Sequence, residues 1–343
     1  MGVMTMKNVI YALLLVGLCG LSAVADTGGK KDAFAYNKLI GRSVNLGNGL
    51  DAPTEGAWGV TLKDEYFSII KKAGFNSVRM PVRWSAHAAT NAPYTIDTSF
   101  FARVDHLVNK ALSEGLVVIL DLHHYEEVMQ LPEENRERFV ALWAQLATHY
   151  KAYPDRLYFE LLNEPNNKFT EGVWNSFVVD TLKVVRKTNP GRMVVVGPVQ
   201  WNSIGKLNTL VLPAADRNII VTYHYYDPFH FTHQGASWAG KESEKWLGTT
   251  WTGTEKEQKD ICAAFDKVVV WAKKENRPVC LGEFGAYSMA KMEDRARWTK
   301  FVVQEAEKRG FSWAYWEFCA GFGVYDKDAN EWRPELLTAL MQQ

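Results

Sequence analysis

From residue 38 onward, short apolar runs alternate with stretches whose apolar residues recur every three or four positions. The first pattern predicts strands and the second predicts amphipathic helices. Strands are expected over 42–46, 76–82, 116–121, 157–163, 193–196, 219–223, 278–281 and 311–316. Helices are expected over 62–73, 100–114, 132–150, 173–187, 255–274 and 293–309, with 334–341 closing the series. The helix at 100–114 places Phe101, Val104, Val108 and Leu112 on one face. The run Leu116-Val117-Val118-Ile119-Leu120 is continuously apolar, as a parallel strand covered on both faces should be. Gly74, Gly115, Gly191 and Gly310 precede strands and are expected to cap helices. Strands alternating with helices predict the α/β class and a closed (β/α)8 TIM barrel, one domain over 26–343. No linker, low-complexity tract or internal repeat interrupts it.

In such barrels the chemistry gathers at the C-terminal ends of the strands. The polar residues there are, in order, Asn45 and Asn48, Arg79, His123 and His124, Asn163 and Glu164, His224 and Tyr226, and Glu283, with Trp316 closing the eighth strand. Scattered surface polarity would not be phased with the strands. A lone carboxylate after a strand is ordinarily a solvated loop residue. Two of them, Glu164 on strand four and Glu283 on strand seven, would instead face each other across the barrel mouth. That pairing suits glycosidic cleavage, in which one carboxyl group protonates the leaving oxygen and the other attacks the anomeric carbon. Arg79 is placed to keep Glu283 ionised. Glu164 is expected to hold its proton because of the neighbouring carboxylate, and Pro165 is expected to keep Glu164 extended. Asn163 and Glu164 are adjacent, so a bulge or strand-end twist is needed to bring both to one site.

Adjacent strand residues point to opposite faces, so His123 and His124 make a poor two-ligand metal site, and no H-x-H spacing occurs. No metal and no cofactor are expected. Trp316 can floor the cleft, whereas Trp313 is the better core residue. Trp201 and Trp238 lie in loops and are candidates for outer platforms under sugar rings.

Composition narrows the partners. Lys plus Arg and Asp plus Glu both number 39, for a formal net charge of zero. A neutral chain lacks the basic footprint of a nucleic-acid binder and the polybasic attraction to anionic membranes. The 13 Trp and 14 Tyr among 343 residues favour a neutral polysaccharide or oligosaccharide as partner, bound by a monomer. Residues 1–25 have the form of a signal peptide: Lys7, an apolar run over 9–18 and Ala23-Val24-Ala25, with cleavage after Ala25. The run is too short to span a bilayer comfortably. A lipoprotein leader using Cys19 is disfavoured by Leu18, so a secreted or periplasmic protein is expected. Removal of the leader leaves Cys262, Cys280 and Cys319, from which no disulfide framework follows.

The ordered segments Ser77-Val78-Arg79-Met80-Pro81-Val82, Asp121-Leu122-His123-His124, Phe159-Glu160-Leu161-Leu162-Asn163-Glu164-Pro165, His224-Tyr225-Tyr226, Gly282-Glu283-Phe284-Gly285 and Trp316-Glu317 resemble glycoside hydrolase family 5. The resemblance implies a retaining hydrolase with Glu164 as acid/base and Glu283 as nucleophile. It implies that Asn163 bonds the sugar 2-hydroxyl and that Arg79 and Tyr226 support Glu283. His123, His124 and His224 would line the reacting subsite, with Trp316 stacking there. The segment 45–50 and the loop 227–238 are similar to the cellulase branch, which implies substrate contacts for Asn48, His233 and Trp238. The activity implied is endo-β-1,4-glucanase on β-glucan. An endo-β-1,4-mannanase or dual enzyme on β-mannan is the alternative. A non-catalytic sugar-binding barrel would be expected to have lost one carboxylate, and both are present.

Overall fold

The computed structural model describes residues 32–342 together with Met1, and the leader expected over 1–25 otherwise lies outside the described residues. Eight parallel strands close into a barrel in sequence order: β1 Arg42–Asn45, β2 Ser77–Met80, β3 Val117–Asp121, β4 Leu157–Glu160, β5 Val194–Val196, β6 Ile219–His224, β7 Val279–Phe284 and β8 Ser312–Tyr315. Closure is direct, with Val44 of β1 opposite Tyr315 of β8. Almost every strand residue is buried, because helices cover the outside while side chains fill the inside.

The helices form where the apolar spacing places them, and their ends have local causes. Thr254 caps Glu255–Glu275 through a reciprocal capping box: its hydroxyl accepts from the Glu257 N–H, and the Glu257 carboxylate accepts from the Thr254 N–H. Gly74, Gly115 and Gly310 all carry positive φ after a helix. Gly191 does not share this role. The helix Glu171–Thr188 ends at Asn189, whose buried side chain donates to the Ala147 carbonyl and the Thr188 hydroxyl, and Pro190 follows.

Besides short helical turns in the loops, such as Glu126–Gln130 and Phe229–Thr232, two further elements were not anticipated. The helix Ala33–Ile40 lies across the barrel end opposite the polar strand ends, joining Tyr36 and Ile40 to Ile119, Tyr158, Val195 and Cys280 in one apolar cluster. It is tied down by Tyr158, whose hydroxyl donates to the Tyr36 carbonyl at 2.9 Å, and by Asn37, which donates to the Val279 carbonyl at 3.1 Å. A two-stranded hairpin of Tyr325–Asp326 and Glu331–Trp332 follows the barrel. Cys262, Cys280 and Cys319 are free thiols. Among the described residues, no helix is long and apolar enough to cross a membrane.

The ladder between β6 and β7 is irregular where the chemistry lies. Its register shifts between Tyr223 and His224, so that His224 pairs with Glu283, and a second shift interrupts β7 and β8 between Leu281 and Phe284. Such irregularities re-aim side chains at a barrel rim.

Candidate active site

Arg79 is the electrostatic centre of the barrel mouth. Its Nε and Nη2 donate to Glu160 at 2.7 and 2.9 Å, and Nη1 donates to Glu283 Oε1 at 2.8 Å. Nη2 also lies 2.7 Å from Asp121 Oδ2, and the side chains of all four residues are no more than 6% exposed. Asn45 and Asn163 accept the remaining Arg79 contacts at 2.8 Å each. Such charges are tolerated in a barrel core only when paired and hydrogen-bonded. One guanidinium thus neutralises part of a three-carboxylate cluster, and Glu283 shares it with Glu160 and Asp121.

Glu164 and Glu283 converge on His224. The His224 Nδ1 lies 2.7 Å from Glu164 Oε1 and 3.5 Å from Glu283 Oε2, and one oxygen of each carboxyl lies within 4.8 Å of the other. Tyr226 donates its hydroxyl to Glu283 Oε2 at 2.9 Å. Burial pushes both carboxyl groups up, Glu164 to about 8 and Glu283 to about 7. At Glu164 the Arg79 charge opposes the rise and Glu160 adds to it. At Glu283, His224, Arg79 and the Tyr226 hydroxyl pull down while Glu164 pushes up. Desolvation therefore outweighs like-charge repulsion as the reason Glu164 keeps its proton, and the carboxylate that assists it there is Glu160.

The backbone at Glu164 is not extended. Its φ is +47°, in the left-handed region. That local conformation ends the alternation and lets Asn163 and Glu164 both face the mouth, Asn163 against Arg79 and Glu164 against His224. Left-handed non-glycine residues persist when surrounding contacts over-determine them. Here Asn166 donates to the Glu164 carbonyl at 2.8 Å, and the Trp201 N–H reaches the Pro165 carbonyl at 3.4 Å.

His124 behaves alike, with φ +49°. The expectation that His123 and His124 point to opposite faces fails for this reason: their ring centroids are 4.5 Å apart. Together with Asp51 they bring one donor atom each within 4.8 Å, so alternation is no argument against a shared ligand there. His123 is held by Asp121 Oδ2 at 2.9 Å and lies parallel to Trp316, with centroids 5.8 Å apart. Burial beside Arg79 lowers the His123 pKa, and burial beside His123 lowers that of His124. These shifts favour the neutral form of both rings.

The remaining predicted residues extend from this centre in two directions. Asn48, at φ +64°, donates its backbone N–H to Asp51 Oδ2 at 3.0 Å, beside His124. Trp316 covers Gly47 so closely that a Cβ there would come within 2.9 Å of the indole. On the other side, Tyr226 packs edge-on against His233 at 4.9 Å, and Trp238 lies 6.2 Å from Phe322, which also touches Tyr226. His233 is buried and pushed down to about 4 by burial. Trp201 and Trp238 are 55% and 61% exposed, whereas Trp313 is fully buried.

Sequence reading overlooked several participants. Glu160 carried a usable signal, since a charge inside an apolar strand demands a partner. Asp121 carried the same signal. Trp58, 41% exposed and edge-on to His124 at 5.3 Å, sits in a loop where nothing local marks it. Asn202 and Asp51 are likewise brought in by tertiary structure alone. Glu317 is fully buried and accepts from the backbone N–H groups of Cys319, Ala320 and Phe322, which shapes the turn after β8.

The cellulase (glycosyl hydrolase family 5) model matches residues 41–321 of this chain. Endoglucanase H of Acetivibrio thermocellus is 36% identical over 315 residues, 90% of this chain and 33% of that protein. Against the cellulase/esterase CelE of the same organism the match covers 39% of the relative, so the chain spans between a third and two fifths of the length of these two curated relatives. The endoglucanase Cel5A of Thermotoga maritima is 51% identical over 91% of this chain and the whole of that one, with a TM-score of 0.89; it has been solved with mannotriose and with cellobiose. The cellulose synthase subunit Z of Clostridioides difficile is 41% identical over 88% of this chain and the whole of that one, with a TM-score of 0.86. With an eight-stranded barrel, its polar rim and a family match over well more than half its length, this chain belongs to glycosyl hydrolase family 5.

Proposed function

We propose that the protein is a retaining endo-β-1,4-glucanase in which Glu164 is the acid/base and Glu283 the nucleophile. The observation that carries this reading is the approach of the two carboxyl groups, an oxygen of each within 4.8 Å of the other at one rim of the barrel. Retaining enzymes separate these groups by about 5–5.5 Å, whereas inverting ones leave about 6.5–9.5 Å for a water. Glu283, oriented by Arg79 and Tyr226, attacks the anomeric carbon while Glu164 protonates the departing oxygen. Loss of the Glu283 charge in the glycosyl ester lowers the proton affinity of Glu164, which then takes a proton from water as that water attacks the ester. Asn163 is assigned to the sugar 2-hydroxyl and Trp316 to stacking beneath the reacting ring. His123, His124 and His224 are assigned to the same reacting subsite, and Asn48, His233 and Trp238 to further substrate contacts.

A dual action on β-mannan is favoured by the relative solved with both mannotriose and cellobiose. Reducing-sugar release from carboxymethylcellulose, lichenan, mannan and xyloglucan separates the readings. Release from carboxymethylcellulose and lichenan with a rapid fall in viscosity is expected, since internal cuts shorten chains before they free many ends. Release from mannan alone would replace the glucanase reading by the mannanase one.

We also infer export, with cleavage after Ala25, from the leader-like pattern of residues 1–25. Mass spectrometry of the protein expressed with its leader should find Asp26 at the N-terminus. A retained Met1 would overturn the inference.

A further inference from the structure

His224 has two ring nitrogens in two different surroundings. Nδ1 faces carboxylates, Glu164 at 2.7 Å and Glu283 at 3.5 Å. A lone pair on that nitrogen would be repelled by an ionised carboxylate, so Nδ1 carries the proton whenever Glu164 is ionised. The ring's pKa is lowered, which favours its neutral form. Burial is the first cause and Arg79 adds to it, against the opposing pull of Glu283, Glu160 and Asp121. A neutral ring with its proton on Nδ1 must have a lone pair on Nε2, and a buried lone pair requires a donor. The donor is Asn202, whose Nδ2 lies 3.1 Å from His224 Nε2.

Asn202 is wholly buried, and its place is built with care. Gln200, Trp201 and Asn202 all have φ between 55° and 58°, three consecutive left-handed residues that swing the Asn202 amide onto the ring. Gly197 gives the amide its space, because a Cβ there would lie 2.0 Å from Asn202 Oδ1. Gly282 does the same for the imidazole, where a Cβ would lie 3.1 Å from Nε2.

We propose that Asn202 is a positioning residue for the reaction: its amide N–H fixes His224 as the Nδ1–H tautomer, and that single N–H is directed between the carboxyl groups of Glu164 and Glu283. The role rests on the acid/base assignment of Glu164 made above. In the half of the cycle in which Glu164 is ionised, the His224 N–H stabilises its carboxylate and so limits the rise that burial imposes. The charged groups that share this environment are Arg79 from β2, Asp121 from β3, Glu160 from β4 and Glu283 from β7, with neutral His123 and Tyr226 completing it. None of them reaches Nε2 with a donor.

Two variants test this without straining the backbone. Glycine and aspartate both tolerate the left-handed conformation at position 202. In Asn202→Gly nothing fixes the tautomer. The form with a lone pair on Nδ1 pairs with protonated Glu164, so the alkaline limb of the kcat/KM profile should move upward by roughly half to one pH unit. The kcat at neutral pH should fall by about tenfold, the worth of one oriented hydrogen bond, with KM little changed. In Asn202→Asp the new carboxylate demands a proton on Nε2. Nitrogen-15 NMR of imidazole-labelled enzyme should therefore find His224 Nε2 unprotonated in the parent and protonated in Asn202→Asp. A parent enzyme with Nε2 already protonated would overturn the proposal, and so would an Asn202→Gly profile superimposable on the parent. The acid/base reading fails by a separate route, full activity of Glu164→Gln, and the NMR result is independent of that outcome.

Discussion

Glu283→Gln is expected to lower kcat on soluble β-glucan by on the order of 10⁵-fold, comparable to loss of a nucleophile in other covalent enzymes, without loss of the fold. The amide oxygen can still accept from Arg79 while its NH2 donates to the Tyr226 hydroxyl oxygen, and Arg79 retains Glu160 and Asp121 as counterions. Burial raises the Glu283 pKa to about 7, so its ionised form costs folding free energy. An acid whose pKa is raised on folding destabilises the native state progressively as pH climbs from the unfolded value of about 4.3 to the folded one. The glutamine variant should therefore melt at the same temperature as the parent or higher, with any gain growing as pH rises through that window. Glu164→Gln should cost about 10²- to 10⁴-fold on glucan, the range for general acid–base groups, and far less on an aryl glycoside whose leaving group needs no proton. In the parent, activity should fall below the Glu283 titration and above that of Glu164, with both limbs displaced upward from the ordinary carboxylate range. Retention of even a hundredth of parental activity by Glu283→Gln in a protein free of parental contamination would remove Glu283 as nucleophile.

Arg79→Met should be the most damaging single change to stability. It leaves Glu160, Asp121 and Glu283 facing one another with no counterion in a nearly dry space. Removing one partner from a buried ionic cluster costs about 3–5 kcal/mol, which corresponds to a fall of roughly 5–8 °C in the thermal midpoint of a protein this large. Charge is the cause, so pH must matter. Acid protonates the orphaned carboxyl groups, and the gap between variant and parent should narrow as pH falls from 8 to 5. A gap independent of pH would mean that lost packing, and not uncompensated charge, is responsible. Arg79→Lys should recover part of the stability but little activity. A lysine ammonium cannot reproduce the two-pronged contact to Glu160 while also reaching Glu283 and Asn163.

The two predictions concern the same cluster from opposite sides. The barrel concentrates carboxylates at its rim beyond what one guanidinium can neutralise, and the residual repulsion and desolvation appear as raised carboxyl pKa values. In the proposed mechanism activity at neutral pH requires Glu164 to stay protonated in that setting, and the stability given up is the counterpart of that requirement.

Much of this was legible in the chain before any coordinates. Eight apolar runs alternating with amphipathic stretches specify the barrel, because a parallel strand is buried on both faces and a surface helix on one. The barrel in turn assigns every strand end to one rim, which singles out Arg79, Glu164, Glu283, His224, Tyr226 and Trp316 by position in the sequence alone. Three things were settled only by the tertiary structure. The left-handed conformations of Glu164 and His124 are imposed by contacts distant in sequence, so local propensity, including that of Pro165, pointed the wrong way. The upward shift of Glu164 and Glu283 depends on burial first, with Glu160 adding to it at Glu164, and desolvation is a property of the packed rim with no signature in spacing. Asn202 meets His224 across 22 positions of sequence, through a turn that no pattern announces. Periodicity is a local quantity and was read locally, whereas the balance of charge, burial and hydrogen bonding at the rim is a sum over strands that meet only when the barrel closes.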